Sequence, residues 1–164
     1  MIGKTIHAEI NDQINKEMYS AYFYLSMSAF LEAQNLGGFA QWMRVQAGEE
    51  MEHAMKFYDY IYDRGGEVVL ESIEKPPSDF SSPLDVFEQV YEHEQKVTGL
   101  IDALYELALE KNDYASQIFL HWFIAEQVEE EKNADAIVQK LKLVGDKVNG
   151  LLLLDRELGA RASN

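Results

Sequence analysis

Apolar residues recur along this chain at alternating steps of three and four, the period of an α-helix that buries one face. Four long stripes follow this rule. A first helix, predicted over about residues 5–34, aligns Ile10, Ile14, Glu17, Ala21, Tyr24, Ser28 and Leu31. A second, over about 39–64, aligns Met43, Gln46, Glu50, His53, Phe57 and Tyr60. The third opens at Ser82-Pro83-Leu-Asp85, where an N-cap serine, a first-turn proline and an acid three residues on form a helix-start signal. It carries Phe87, Val90, Glu94, Val97, Ile101, Leu104 and Ala108. A fourth, over about 114–144, carries Leu120, Phe123, Gln127, Glu130, Ala134, Ile137 and Leu141. A short fifth helix, about 147–158, contains Leu151 to Leu154; it is too apolar for a solvated tail and is expected to dock.

The connections constrain the topology. Asn35-Leu-Gly-Gly38 reads as the first turn, its paired glycines closing the helix, and Gly65-Gly66 stops the second helix. Lys111-Asn-Asp113 is short, so the third and fourth helices should be antiparallel neighbours. Only Glu67 to Ser82 is long, and Pro76-Pro77 excludes helix there. Extended, it reaches roughly 50 Å, more than the roughly 39 Å of the second helix, so a crossover back along that helix is permitted. The expected architecture is all-α: a four-helix bundle over about 5–144 with a long crossover between helices two and three and a short C-terminal helix, in a single domain spanning 1–164.

With 164 residues, 47% of them hydrophobic, the chain can bury a sizeable core. A formal charge of −15, from 29 acids against 14 bases, argues against nucleic acid or an anionic membrane surface as partner and favours cations. No cysteine is present, which excludes disulfides, thiolate zinc sites and iron–sulfur clusters held by the chain itself. No apolar run approaches the length of a membrane span, and the cytoplasm is the expected compartment.

The polar members of the stripes carry the chemistry. Glu17, Glu50, His53, Glu94, Gln127 and Glu130 fall on core faces, and no Lys or Arg on those stripes neutralises them. Singly, each has an ordinary reading: Glu17 as an acid beside the seam, His53 as a satisfied core histidine, Glu94 as part of an exposed run. Together, uncompensated buried carboxylates require paired charges or metal. Four carboxylates, one imidazole and one amide suit two divalent cations, and oxygen-rich ligation with a single histidine favours iron or manganese over zinc. Helical-bundle metal sites take a Glu from each of two helices and Glu-x-x-His from the other two; here the second helix obeys and the fourth has Gln127-x-x-Glu130. Counting from the turns sets Glu94 and Glu130 level but leaves Glu17 and Glu50 offset by about 8 Å along the helix axes.

Six segments resemble the prokaryotic non-haem ferritins: Asn11-Asp-Gln-Ile-Asn-Lys-Glu17 with Tyr-Ser-Ala-Tyr-Phe-Tyr24, Glu49-Glu50-Met-Glu-His53, Arg64-Gly-Gly66, Glu74-Lys-Pro-Pro77, Glu92-His-Glu94 and Glu126-Gln-Val-Glu129-Glu130. The resemblance covers essentially the whole chain. It implies a ferroxidase centre with Glu17, Glu50 and His53 on one iron, Glu50 bridging, and Glu94 and Glu130 on the other, Gln127 being a nearby polar group. It also implies a third iron site at Glu49, Glu126 and Glu129, with Glu130 shared and Tyr24 nearby; without the resemblance those three acids read as a solvated face. Tyr24 is then a candidate electron donor, or simply a packing aromatic.

The activity so implied is oxidation of Fe(II) by O₂ or peroxide and storage of Fe(III) mineral inside a shell of 24 identical subunits. Rival readings differ at identifiable residues. Bacterioferritin binds haem through a methionine at the position of Met51, but its fourth helix carries Glu-x-x-His, so haem is not expected. A rubrerythrin-like peroxidase would add a cysteine-rich iron domain, and a DNA-protecting mini-ferritin would lack the fifth helix. A di-iron oxidase of an organic substrate would hold two metals without storage, and a metal-free acidic scaffold would be indifferent to Glu50→Ala.

Overall fold

The computed structural model describes residues 1–161. It contains five helices, α1 (Lys4–Ala33), α2 (Gly37–Asp63), α3 (Pro83–Glu110), α4 (Tyr114–Val144) and α5 (Val148–Gly159), and no strand among the described residues. Boundaries fall within two residues of those read from the sequence, the ordinary uncertainty of a helix end. No helix among the described residues is long and apolar enough to cross a membrane. Every residue of the four stripes is buried, including the polar ones.

The described chain forms two compact units, Met1–Ser81 together with the segment from Val144 onward, and Ser82–Leu143. In the first, α1 and α2 run in opposite directions: Ile2 N–H donates to the Arg64 carbonyl at one end, and Ser28 Oγ donates to the Ala40 carbonyl at the other. Ile10, Ile14, Met27, Leu31, Phe39, Met43, Phe57 and Ile61 are fully buried, each contributing about 1.5–3 kcal/mol over an exposed position.

The turn between these helices differs from the expectation. Asn35, at φ 59°, supplies the left-handed residue that closes α1, whereas Gly37 and Gly38 are the first residues of α2. The role of Gly38 lies elsewhere. A Cβ on Gly38 would collide with the Asp155 carbonyl, and one on Gly159 would sit 2.9 Å from Gly38 Cα, so α5 packs backbone to backbone on the start of α2. There Asp155 Oδ1 accepts from Phe39 N–H at 2.9 Å. Because α2 has no side-chain cap of its own, α5 provides the acceptor that its first turn lacks. Leu154 and Leu158 bury the face that docks, while Leu152 and Leu153 stay exposed.

The long connection is a strap along α1. His7 Nε2 bonds to the Glu67 carbonyl at 2.8 Å; Asn11 exchanges two bonds with the Val69 backbone; Asn15 Nδ2 donates to the carbonyls of Glu71 and Ser72. Further on, Ser26 Oγ donates to the Pro77 carbonyl at 2.6 Å and Phe30 meets Phe80 edge-on. The strap therefore follows α1 from its N-terminal to its C-terminal part and returns the chain along α2, the crossover that its length permits.

In the second unit, Ser82 Oγ accepts from Asp85 N–H to cap α3, and Asp113 Oδ1 accepts from Ser116 N–H at the start of α4. Glu88 pairs with Lys142, Tyr105 with His121, and the Gln117 side chain with the Ala108 carbonyl. Partner numbers fall as position along α3 rises, so α3 and α4 are antiparallel as the short connection requires.

Gly38→Ala should loosen α5 and destabilise the protein by about 1–3 kcal/mol through overpacking. Gly37→Ala, with nothing within 4 Å of the added Cβ, should be neutral or mildly stabilising. Chemical denaturation of both variants, with limited proteolysis of α5, measures the contrast.

Candidate metal centre

Glu17 lies midway along α1, and Glu50 and His53 lie one turn apart on α2. One ligand atom from each falls within 4.8 Å of the others, and all three side chains are buried. The axial offset expected between Glu17 and Glu50 is smaller than the sequence count gives. With the glycine pair inside α2, the turn centres on Asn35, and a three-residue offset of about 4.5 Å remains, which two glutamate side chains span. His53 is level with Glu17.

The electrostatics of this group are unresolved within the protein. Gln13, buried one turn before Glu17, donates from Nε2 to Glu17 Oε1 at 2.7 Å. Glu17 Oε2 is the one buried side-chain oxygen or nitrogen among the described residues with no hydrogen-bond partner. Burial first, then the charge of Glu50 and a hydrogen bond shared with it, push the Glu17 carboxyl well above the usual carboxylate range, against the lowering effects of Gln13 and His53. His53 Nδ1 stands 3.5 Å from Glu50 Oε2. An oriented carboxylate with a bare buried oxygen, a second carboxylate and an imidazole make a donor set for a divalent cation, which would convert mutual repulsion into shared ligation.

In the second unit, Glu94, Gln127 and Glu130 are buried on facing stripes of α3 and α4. Gln127 Nε2 donates to Glu94 Oε2 at 3.1 Å and to the Glu94 carbonyl at 3.2 Å. Gln127 thus holds a carboxylate in place. Beside it, Thr98 Oγ1 donates to Glu131 Oε1 at 2.5 Å. His93, half-buried next to Glu94, has its pKa pulled down to about 4 by burial and by Lys96, so it is neutral at physiological pH and brings no positive charge.

The remaining candidates sit differently. Tyr24 is fully buried on the α1 stripe, with its ring 6.3 Å from that of Phe23. Glu126 is half-buried and Glu129 and Met51 are exposed. Glu49 is half-buried and ion-paired with Arg161. Two residues of consequence lie off the four stripes, Gln13 and Arg161. Gln13 carries a sequence signal, standing four residues before Glu17 and three after Ile10.

These features define a helical protein with a buried, carboxylate-rich candidate metal site. Residues 7–144 match the ferritin-like domain family, and the chain belongs to that family. It is 45% identical over 161 residues to a bacterial non-heme ferritin of Bacteroides fragilis, covering 98% of this chain and all of that one. A bacterial non-heme ferritin of Campylobacter jejuni is 42% identical over 156 residues, covering 95% and 93%. Among solved structures, the open-pore ferritin of the hyperthermophilic archaeon Archaeoglobus fulgidus superimposes with a TM-score of 0.98 at 49% identity, covering 99% of both chains. An engineered closed form of that ferritin gives 0.99 at the same identity over the whole of both. The fold is the ferritin-like four-helix bundle with its crossover and short fifth helix.

The raised Glu17 pKa gives a signed pH dependence. A carboxyl that holds its proton more tightly when folded stabilises the fold fully below the ordinary value near 4.5, and that contribution is lost as pH rises through the raised value. Metal-free protein should therefore lose stability towards neutral pH. Glu17→Gln should remove this component and stabilise the metal-free protein at pH 7 by about 1–3 kcal/mol, the penalty of a buried unsatisfied group. Denaturation of both proteins across that pH range measures the difference, and a divalent cation should restore the parent but not the variant.

Proposed function

We propose that this protein is an iron-storage ferroxidase: it takes up Fe(II), oxidises it with O₂ or peroxide, and retains Fe(III) as mineral inside a shell of 24 copies in the cytoplasm. The observation that carries the reading is the bare Oε2 of Glu17 within the buried Glu17, Glu50 and His53 group. Family membership and the relatives named non-heme ferritin support iron as the ion.

Glu17, Glu50 and His53 bind one ferrous substrate ion, and Glu94 and Glu130 are assigned to the second, giving a di-iron centre. Each ion yields one electron. Dioxygen accepts the two electrons with two protons and leaves as hydrogen peroxide. Gln13 orients Glu17 and Gln127 orients Glu94, so both carboxylates are placed before the ions arrive. Hard carboxylate oxygens favour the ferric product, and a ligand set with one imidazole leaves coordination positions open for the oxidant. Glu49, Glu126 and Glu129, with Glu130 shared, are proposed to receive a third ion, and Tyr24 a further electron-transfer role.

Glu50→Ala and His53→Ala should each slow ferrous oxidation by at least about a hundredfold, since changes one shell further from a metal alone reach that size. Stopped-flow absorbance of the ferric product measures the rate; parent and variants both at the protein-free rate would overturn the ferroxidase assignment. Iron retained per chain after aerobic loading, measured on the particle peak in size-exclusion chromatography, tests storage. Retention far above two or three ions on a large particle is expected, whereas two or three on a small one would identify a di-iron oxidase.

A further inference from the structure

Just beyond α5, Arg161 makes three contacts along one face of α2. Its Nη1 donates to Gln46 Oε1 at 2.8 Å, its Nη2 donates to Glu49 Oε2, and its guanidinium carbon lies 4.8 Å from the Trp42 ring centroid. Residues 42, 46 and 49 are successive positions of one helical ridge, so a single planar cation spans nearly two turns. The Arg161 side chain is 26% exposed and that of Glu49 only 20%, which removes much of the solvent screening that weakens surface pairs.

The placement is fixed from two directions. Asp155 caps α2 and the Gly38–Gly159 approach seats α5, which delivers Arg161 to this ridge. At the receiving end, Gln46 and Trp42 are both buried and form a bed for the guanidinium beside the Glu49 carboxylate. Glu49 adjoins Glu50, yet it lies off the α2 stripe and faces Arg161.

We propose that Arg161 is a tethered cation that occupies the Glu49 carboxylate, so that a metal ion takes Glu49 only by displacing the guanidinium. This rests on the reading of Glu49 as a ligand for an ion additional to those at Glu50 and His53. An arginine cannot be deprotonated to yield its place, so release follows from competition or from movement of α5. Occupancy at Glu49 and docking of the α5 end are therefore linked, each weakening the other by the same factor.

The test is calorimetric titration of the assembled metal-free protein with Zn²⁺, a redox-inert probe, in the parent, Arg161→Gln, Glu49→Gln and the double variant, with particle size checked for each. Arg161→Gln should tighten one ion per chain by about tenfold, the scale of one charge-assisted pair, and leave the tighter ions unchanged. That gain should vanish in the Glu49→Gln background, and Arg161→Lys, which keeps the charge but loses the fork, should fall between parent and Arg161→Gln. A parent that binds no such ion while Arg161→Gln binds one would also support the latch. If Glu49→Gln weakens an ion that Arg161→Gln leaves unchanged, the Glu49 site stands and the latch is wrong. If Glu49→Gln weakens no ion in either background, both the site and the latch fall.

Discussion

Two carboxyl groups buried side by side, Glu17 on α1 and Glu50 on α2, are the constraint around which the first unit is arranged. Glu17 and Glu50 share the interior of the α1–α2 pair with His53, and Gln13 satisfies one oxygen while leaving the other bare. An apolar core would be more stable without them. Without a cation the cost is carried by Glu17, whose carboxyl holds its proton well above the usual range; a divalent cation bound there would turn the same cost into affinity.

The scaffold's contribution is to keep that unfavourable group from relaxing. Apolar residues above and below the polar members of each stripe pack the helices closely and keep water out, and i,i+3 and i,i+4 spacing fixes the side chains relative to one another. Gln13 and Gln127 play parallel parts: each is a neutral donor that orients a carboxylate without neutralising it. A lysine at either place would satisfy the carboxylate and remove the reason for an ion to bind.

Much of this was legible in the sequence because the buried faces obey a simple period. All the stripe residues, Glu17, Glu50, Glu94 and Glu130 included, are buried, since a side chain's direction on a helix follows from its position in the turn. The turn differs for a physical reason: glycine signals permissive backbone whether it serves a positive φ or a close approach, and Gly38 serves the second while Asn35 serves the first. Arg161 was invisible for another. Its partners at 42, 46 and 49 depend on how α5 seats against α2, and no local period encodes a docking angle.

The strap offers a last consequence. His7, Asn11, Asn15 and Ser26 hold it almost wholly through its backbone carbonyls and one backbone N–H, and its own Val69, Leu70 and Ile73 face outward. Recognition is therefore one-sided: α1 carries the information and the strap supplies only peptide groups, which every residue but proline offers in full. The outward side chains of the strap are therefore not what seats it on α1, and their chemistry can change without loss of the bonds that hold it to the helix.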